Sequence, residues 1–167
     1  MIAVAKIPLI LAFLTAAIQL SSAQATVHVD PASPQGSRVL QDQTRTAVLR
    51  DYLQSWQSLS AALSQNRPDL LDADFVGTAK DKLAETIKEQ EALGIHTQYQ
   101  DAAHDVKIVF YSPEGLSIQL TDDVQYDVQL FDQGKSLAKQ RVNTRYVVVL
   151  TPAEVRWRVR VFQAVSQ

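Results

Sequence analysis

The stretch LSIQLTDDVQYDVQL, residues 116–130, alternates without a break. Leu116, Ile118, Leu120, Asp122, Val124, Tyr126, Val128 and Leu130 share one parity, while Ser117, Gln119, Thr121, Asp123, Gln125, Asp127 and Gln129 share the other. Successive side chains of a strand point to opposite faces, so this spacing predicts a long, half-buried antiparallel strand. Laid flat it would span roughly 50 Å at ~3.4 Å per residue, more than a domain of this size is wide. The strand must therefore bend, and the weak β-formers Asp122 and Asp123 mark the place. Parity is the same on both sides of them, which argues against a single-residue bulge there.

Three more strands follow from the same reasoning. Val106, Ile108 and Phe110 alternate ahead of the turn Ser112-Pro113-Glu114-Gly115, with proline second and glycine fourth. A short hairpin at Asp132-Gln133-Gly134 leads to a strand carrying Val142, Thr144, Tyr146, Val148 and Leu150. After Thr151-Pro152-Ala153-Glu154, Val155, Trp157, Val159 and Val161 alternate with Arg156, Arg158 and Arg160. The result is a four-stranded antiparallel meander.

Upstream, the period is near four. Leu49, Tyr52, Leu53, Trp56, Leu59 and Leu63 form the stripe of an amphipathic helix over about 44–65. Asn66-Arg67-Pro68-Asp69 stops it and starts a short second helix to about Asp74. A third begins at Thr78, where Thr78 and Asp81 resemble a capping box; Phe75, Ala79, Leu83 and Ile87 form its buried row, and Gly94 ends it. Helices first and antiparallel strands second define an α+β layer structure, N-terminal helices packed on a curved four-stranded sheet.

At the N-terminus, Lys6, the apolar run from Ile7 to Ile18 and Ala23-Gln24-Ala25 have the n-region, h-region and cleavage pattern of a signal peptide over 1–25. The run is shorter than the ~20 residues of a membrane span. A secreted or periplasmic protein is expected, the alternative being an uncleaved N-terminal membrane anchor. Residues 26–43, with Pro31, Pro34 and Gly36 and no period, read as a flexible linker, and 44–167 as one domain. The net charge of −2 is too small and too mixed to imply nucleic acid. The absence of cysteine excludes disulfides, thiolate metal sites and thiol nucleophiles.

With Tyr52, Trp56 and Asp69-Leu70-Leu71 on the helices and Arg156-Trp157-Arg158-Val159 ending the strands, the chain resembles the nuclear transport factor 2-like superfamily of cystatin-like α+β cones. The resemblance covers about 44–165 and implies a cone or half-barrel. That superfamily hosts isomerases, dehydratases, ligand-binding modules, kinase association domains and periplasmic domains of envelope machines. The fold does not choose among them.

Asp122 is the one charged residue on the apolar face of its strand. Inside a cone it could shuttle a proton or hold a polar ligand group; at the rim it would meet water, with Arg145 or Arg141 as neighbours. His104 and Asp105 are adjacent and so point apart, which leaves His104 a structural or capping residue, and His96 and His104 lack a third metal partner. No metal and no cofactor is expected. Asp69, Asp72 and Asp74 read as a solvated turn rather than a calcium loop, and Arg156, Arg158 and Arg160 as a row paired with Asp123 and Asp127. Trp56, Phe75, Tyr126 and Trp157 are core residues that line a ligand pocket if a cavity remains.

Two functions stand side by side. One is a non-enzymatic binding or scaffold domain engaging a protein partner or a small apolar ligand, with a homodimer through the sheet and a membrane only if the leader is retained. The other is implied by resemblance to ketosteroid isomerase and its dehydratase cousins, with Asp122 as base and Tyr99, His104 and Tyr146 as polar helpers.

Overall fold

The computed structural model describes residues 25–30 and 38–165. Residues 1–24 of the expected leader lie outside them, and among the described residues no helix is long and apolar enough to cross a membrane. The architecture is α+β, an open mixed sheet under helices. The elements run β1 (Thr26–Val29), α1 (Asp42–Gln65), a 3-10 turn (Pro68–Leu71), α2 (Gly77–Ala92), β2 (Ile95–Tyr111), β3 (Ile118–Asp132), β4 (Lys135–Pro152) and β5 (Trp157–Val165). Strand order is β1-β2-β3-β4-β5.

The four-stranded meander is present, and one strand joins it. Thr26–Val29, inside the stretch expected as a linker, pairs in parallel with Ala103–Val106 of β2. Four residues are too few for alternation to identify, and the pairing joins segments far apart in sequence.

The first antiparallel strand reaches back to Ile95 rather than starting at Val106. Its register against β3 shifts twice, between Gln100 and Ala103 and between Ile108 and Phe110. At each shift the parity of inward residues changes. Tyr99 lies opposite Val128, His104 opposite Val124, and Tyr111 opposite Ile118, so odd, even and again odd positions share one face. β3 keeps continuous register with both neighbours through Asp122 and Asp123, as its uninterrupted alternation predicts. Leu116 stays in the preceding turn, 62 % exposed. A shift in β5 between the partners of Val149 and Leu150 puts Val159 in the core and brings Phe162 opposite Val148, displacing Val161 from its expected inward place.

α1 buries Val48, Tyr52, Trp56, Leu59 and Leu63 and ends at Asn66, whose φ of 51° is the left-handed cap that closes a helix. α2 has no side-chain cap; the Thr78 hydroxyl instead donates to the Arg160 carbonyl oxygen. Phe75, Ala79 and Ile87 are buried as a row, with Leu83 half-buried. The β3–β4 connection is a two-residue turn with positive φ at both Gln133 (45°) and Gly134 (80°), the geometry that suits the twist of a hairpin.

Helical cover is uneven. Ile118, Leu120, Asp122, Val124 and Tyr126 alternate as fully buried positions, but from Asp127 to Asp132 β3 is only half-buried, and Lys135–Arg141 of β4 are all exposed. β5 pairs with β4 over Arg145–Pro152, which leaves the earlier part of β4 without a described neighbour on that side.

Candidate functional site

Asp122 is completely buried, not at the rim. Tyr52, from the buried stripe of α1, donates its hydroxyl to Asp122 Oδ2 at 2.7 Å, and His104 Nδ1 lies 2.6 Å from the same oxygen. The histidine reaches it diagonally, since β2 places Val106 opposite Asp122 and His104 opposite Val124. Three elements, α1, β2 and β3, are therefore tied at one carboxylate oxygen. Neither arginine expected beside Asp122 is its partner. Arg145 forms a two-pronged bond to Asp123 at 2.6–2.7 Å on the opposite face, and Arg141 approaches Asp127 at 3.5 Å. His104 points away from Asp105, as strand geometry requires.

Burial, and next the negative charge of Asp122, raise the Tyr52 phenol well above its ordinary range, so it remains a donor. Asp122 Oδ1 and Trp56 Nε1 are buried without a hydrogen-bond partner.

Trp56, one helical turn beyond Tyr52, occupies the middle of the cone. Its ring lies 5.1–6.3 Å from those of Tyr99 and His104 on β2, Tyr126 on β3, Tyr146 on β4 and Phe162 on β5, so it touches all four antiparallel strands. The Tyr126 and Tyr146 hydroxyls are 3.2 Å apart. Burial pushes the phenols of Tyr99 and Tyr146 upward; for Tyr146 the bond to Tyr126 adds to it.

The expected site residues thus divide. Asp122, His104, Tyr99, Tyr126, Tyr146 and Trp56 meet in one cluster, and Phe75, in the same core, makes an edge contact with Phe162, 6.0 Å away. Trp157 stands apart, its backbone N–H held by Asp51 at 2.8 Å. His96 stacks on Phe131. The sequence places Tyr52 at core spacing, as pocket lining if a cavity remains, and its polar role appears only with the register between α1 and β3. The Asp turn is also only partly solvated: Asp69 pairs with Arg67 and Asp72 with Lys80, but Asp74 is buried, accepting from Ser58 and Arg156. Arg156 and Arg158 bond to that α1–α2 connection, Arg158 through the Asp72 and Phe75 carbonyl oxygens, and not to Asp123 or Asp127.

No family model matches this sequence, and no curated protein matches it. Solved structures do. The intermembrane-space region of the chloroplast protein ARC6 superposes with a TM-score of 0.60 at 12 % identity, over 78 % of this chain and all of that one. A putative scytalone dehydratase from Novosphingobium aromaticivorans superposes with a TM-score of 0.53 at 15 % identity, over 75 % of this chain and 89 % of that one. These likenesses concern the fold alone.

Proposed function

We propose that this chain is a non-enzymatic binding or scaffold domain that works outside the cytoplasm and engages a protein partner. The observation that carries the reading is Trp56. A ligand-binding cone keeps space between helix and sheet, whereas here an indole from α1 contacts an aromatic ring on each of β2, β3, β4 and β5. That filling favours a protein partner over a small apolar ligand. Beneath it, Asp122 serves to fasten α1 to the sheet. The location rests on the leader-like sequence before Thr26. Amino-terminal sequencing of protein recovered from the cell envelope or medium should begin at Thr26; an intact Met1 would favour the anchor.

The Tyr52–Asp122–His104 network supports a second reading, an acid–base enzyme of the isomerase or dehydratase kind. With two donors already on its Oδ2, Asp122 would orient the imidazole, and His104 would carry the proton.

One titration separates the two. In Trp157→Phe protein, Trp56 is the sole tryptophan and reports on the cone. Steroid enones and naphthols should leave its fluorescence without a saturable change. Saturable quenching that His104→Ala abolishes would overturn the filled-cone reading and send the protein to isomerase and dehydratase assays.

A further inference from the structure

Strand β4 pairs with β3 from Lys135, opposite Asp132, to Leu150, opposite Ile118, with one register shift between Ser136 and Ala138. On its other side the described part of β5 ends at Val165, opposite Arg145. Ser136–Thr144 therefore presents roughly 30 Å of strand edge, at ~3.3 Å per residue, whose outward N–H and C=O groups have no strand partner among the described residues. The stretch is exposed through Arg141.

The chemistry of that edge is one-sided. β4 contains Lys135, Lys139, Arg141 and Arg145 and no acidic residue. Lys139 and Arg141, two apart, share the outer face of the sheet. One carboxylate, Asp127, lies between them at 3.3 and 3.5 Å, so two cations share a single countercharge. A second copy of the chain fits poorly: antiparallel pairing of two such edges would set Lys139 and Arg141 beside their symmetry mates.

We propose that Ser136–Thr144 binds an extended, acidic segment of a partner protein, which adds as a strand in line with β5 and places carboxylates at alternate positions beside Lys139 and Arg141. The inference rests on the binding-domain reading and names its surface. Main-chain hydrogen bonds would supply attachment, and the charges would supply selection.

The test uses isotope-labelled protein and a ten-residue peptide alternating glutamate with valine and threonine. Saturable amide shift changes confined to Ser136–Thr144 are expected. The Lys139→Glu/Arg141→Glu variant, altered only at exposed positions, should weaken binding by about tenfold or more. A peptide N-methylated along one edge should not bind, because strand addition needs those amides. Absence of binding, equal affinity for the charge-reversed variant, or shifts that map to β2 would overturn the proposal. So would equal binding of an oligothymidylate or of phosphatidylglycerol vesicles, which would mark a general polyanion surface. Failure here with the cone still closed to small ligands removes only this edge; failure together with a ligand-filled cone removes the binding-domain reading as well.

Discussion

The two ends of the sheet are built on opposite principles although the same three strands run through both. At the covered end, β3 buries every second residue from Ile118 to Tyr126, and Asp122 finds its partners inside the protein, Tyr52 and His104 both meeting its Oδ2. At the open end the same β3 is only half-buried, its Asp127 faces Lys139 and Arg141, and the flanking strand lies in solvent. Burial converts a polar contact into a structural obligation: a carboxylate that loses its partners inside the cone leaves groups with no water to turn to, whereas one on the ribbon is simply hydrated. The covered end holds the fold, and the open end is free to be altered or occupied.

The largest test of that contrast is Trp56→Ala. It removes a ring in contact with four strands and should cost about 3–5 kcal/mol in urea unfolding. A loss below about 1 kcal/mol would mean that the cone does not depend on its central ring and would erase the distinction between the two ends.

Next comes a matched pair. Asp122→Ala strands the Tyr52 hydroxyl and the His104 ring N–H in the core and should cost about 2–4 kcal/mol, while Asp127→Ala should stay within about 0.5 kcal/mol. Equal losses from the two would place the ribbon in the cooperative core.

Alkaline unfolding sharpens the comparison further. Tyr52, Tyr99 and Tyr146 have folded-state values raised above the ordinary phenol value, chiefly by burial. Their protonated forms are favoured in the fold, so their contribution is fully present below about pH 10 and is lost as pH rises beyond it, by about 1.4 kcal/mol per pH unit for each. Absorbance at 295 nm should show these three phenols ionising together with the loss of near-ultraviolet circular dichroism. Their ionisation ahead of unfolding would contradict their burial.

The smallest effect belongs to the outer face. The hydrogen bond from Arg145 lowers the Asp123 carboxyl below its ordinary value, so this pair helps at neutral pH and its contribution is lost as pH falls from about 4 through the folded-state value. Because both partners are largely exposed, Asp123→Asn should lower the Tm at pH 7 by only about a degree or two and leave acid stability unchanged. A larger drop would make the outer face part of the supporting structure.

Legibility followed continuity of pattern. β3 carries no extra residue of its own, since at each shift the bulged residue lies on a neighbouring strand, and its strand, its buried face and the anomaly of Asp122 were all readable from residues 116–130. β2 carries the same kind of buried face, yet only its middle, His104, Val106 and Ile108, alternates unbroken between two shifts, and Phe110, which continues that alternation in the sequence, is turned outward, 38 % exposed. Tyr99 and His104 therefore looked unrelated although they face one cluster. The partners of Asp122 were hidden for a different reason: Tyr52 and His104 are 70 and 18 residues away in sequence, and only tertiary register brings them together. The parallel pairing of β1 was invisible on the same ground. Trp56 was recognisable as the centre of its helical stripe, but that it fills the cone is a statement about volume, which periodicity does not encode.

The first shift in β2 gives this strand a phase, much as codons give a message a frame. Tyr99 and His104 are five residues apart and would point in opposite directions along a regular strand; the extra residue between Gln100 and Ala103 is what lets both face inward. Deleting one of the two residues there would remove the bulge and keep the frame: Tyr99 and His104 would stand four apart, so a regular strand would still set Tyr99 opposite Val128, His96 beside Phe131 and His104 beside Asp122. Straightening the strand without that deletion would instead turn everything upstream over, Tyr99 outward and His96 inward.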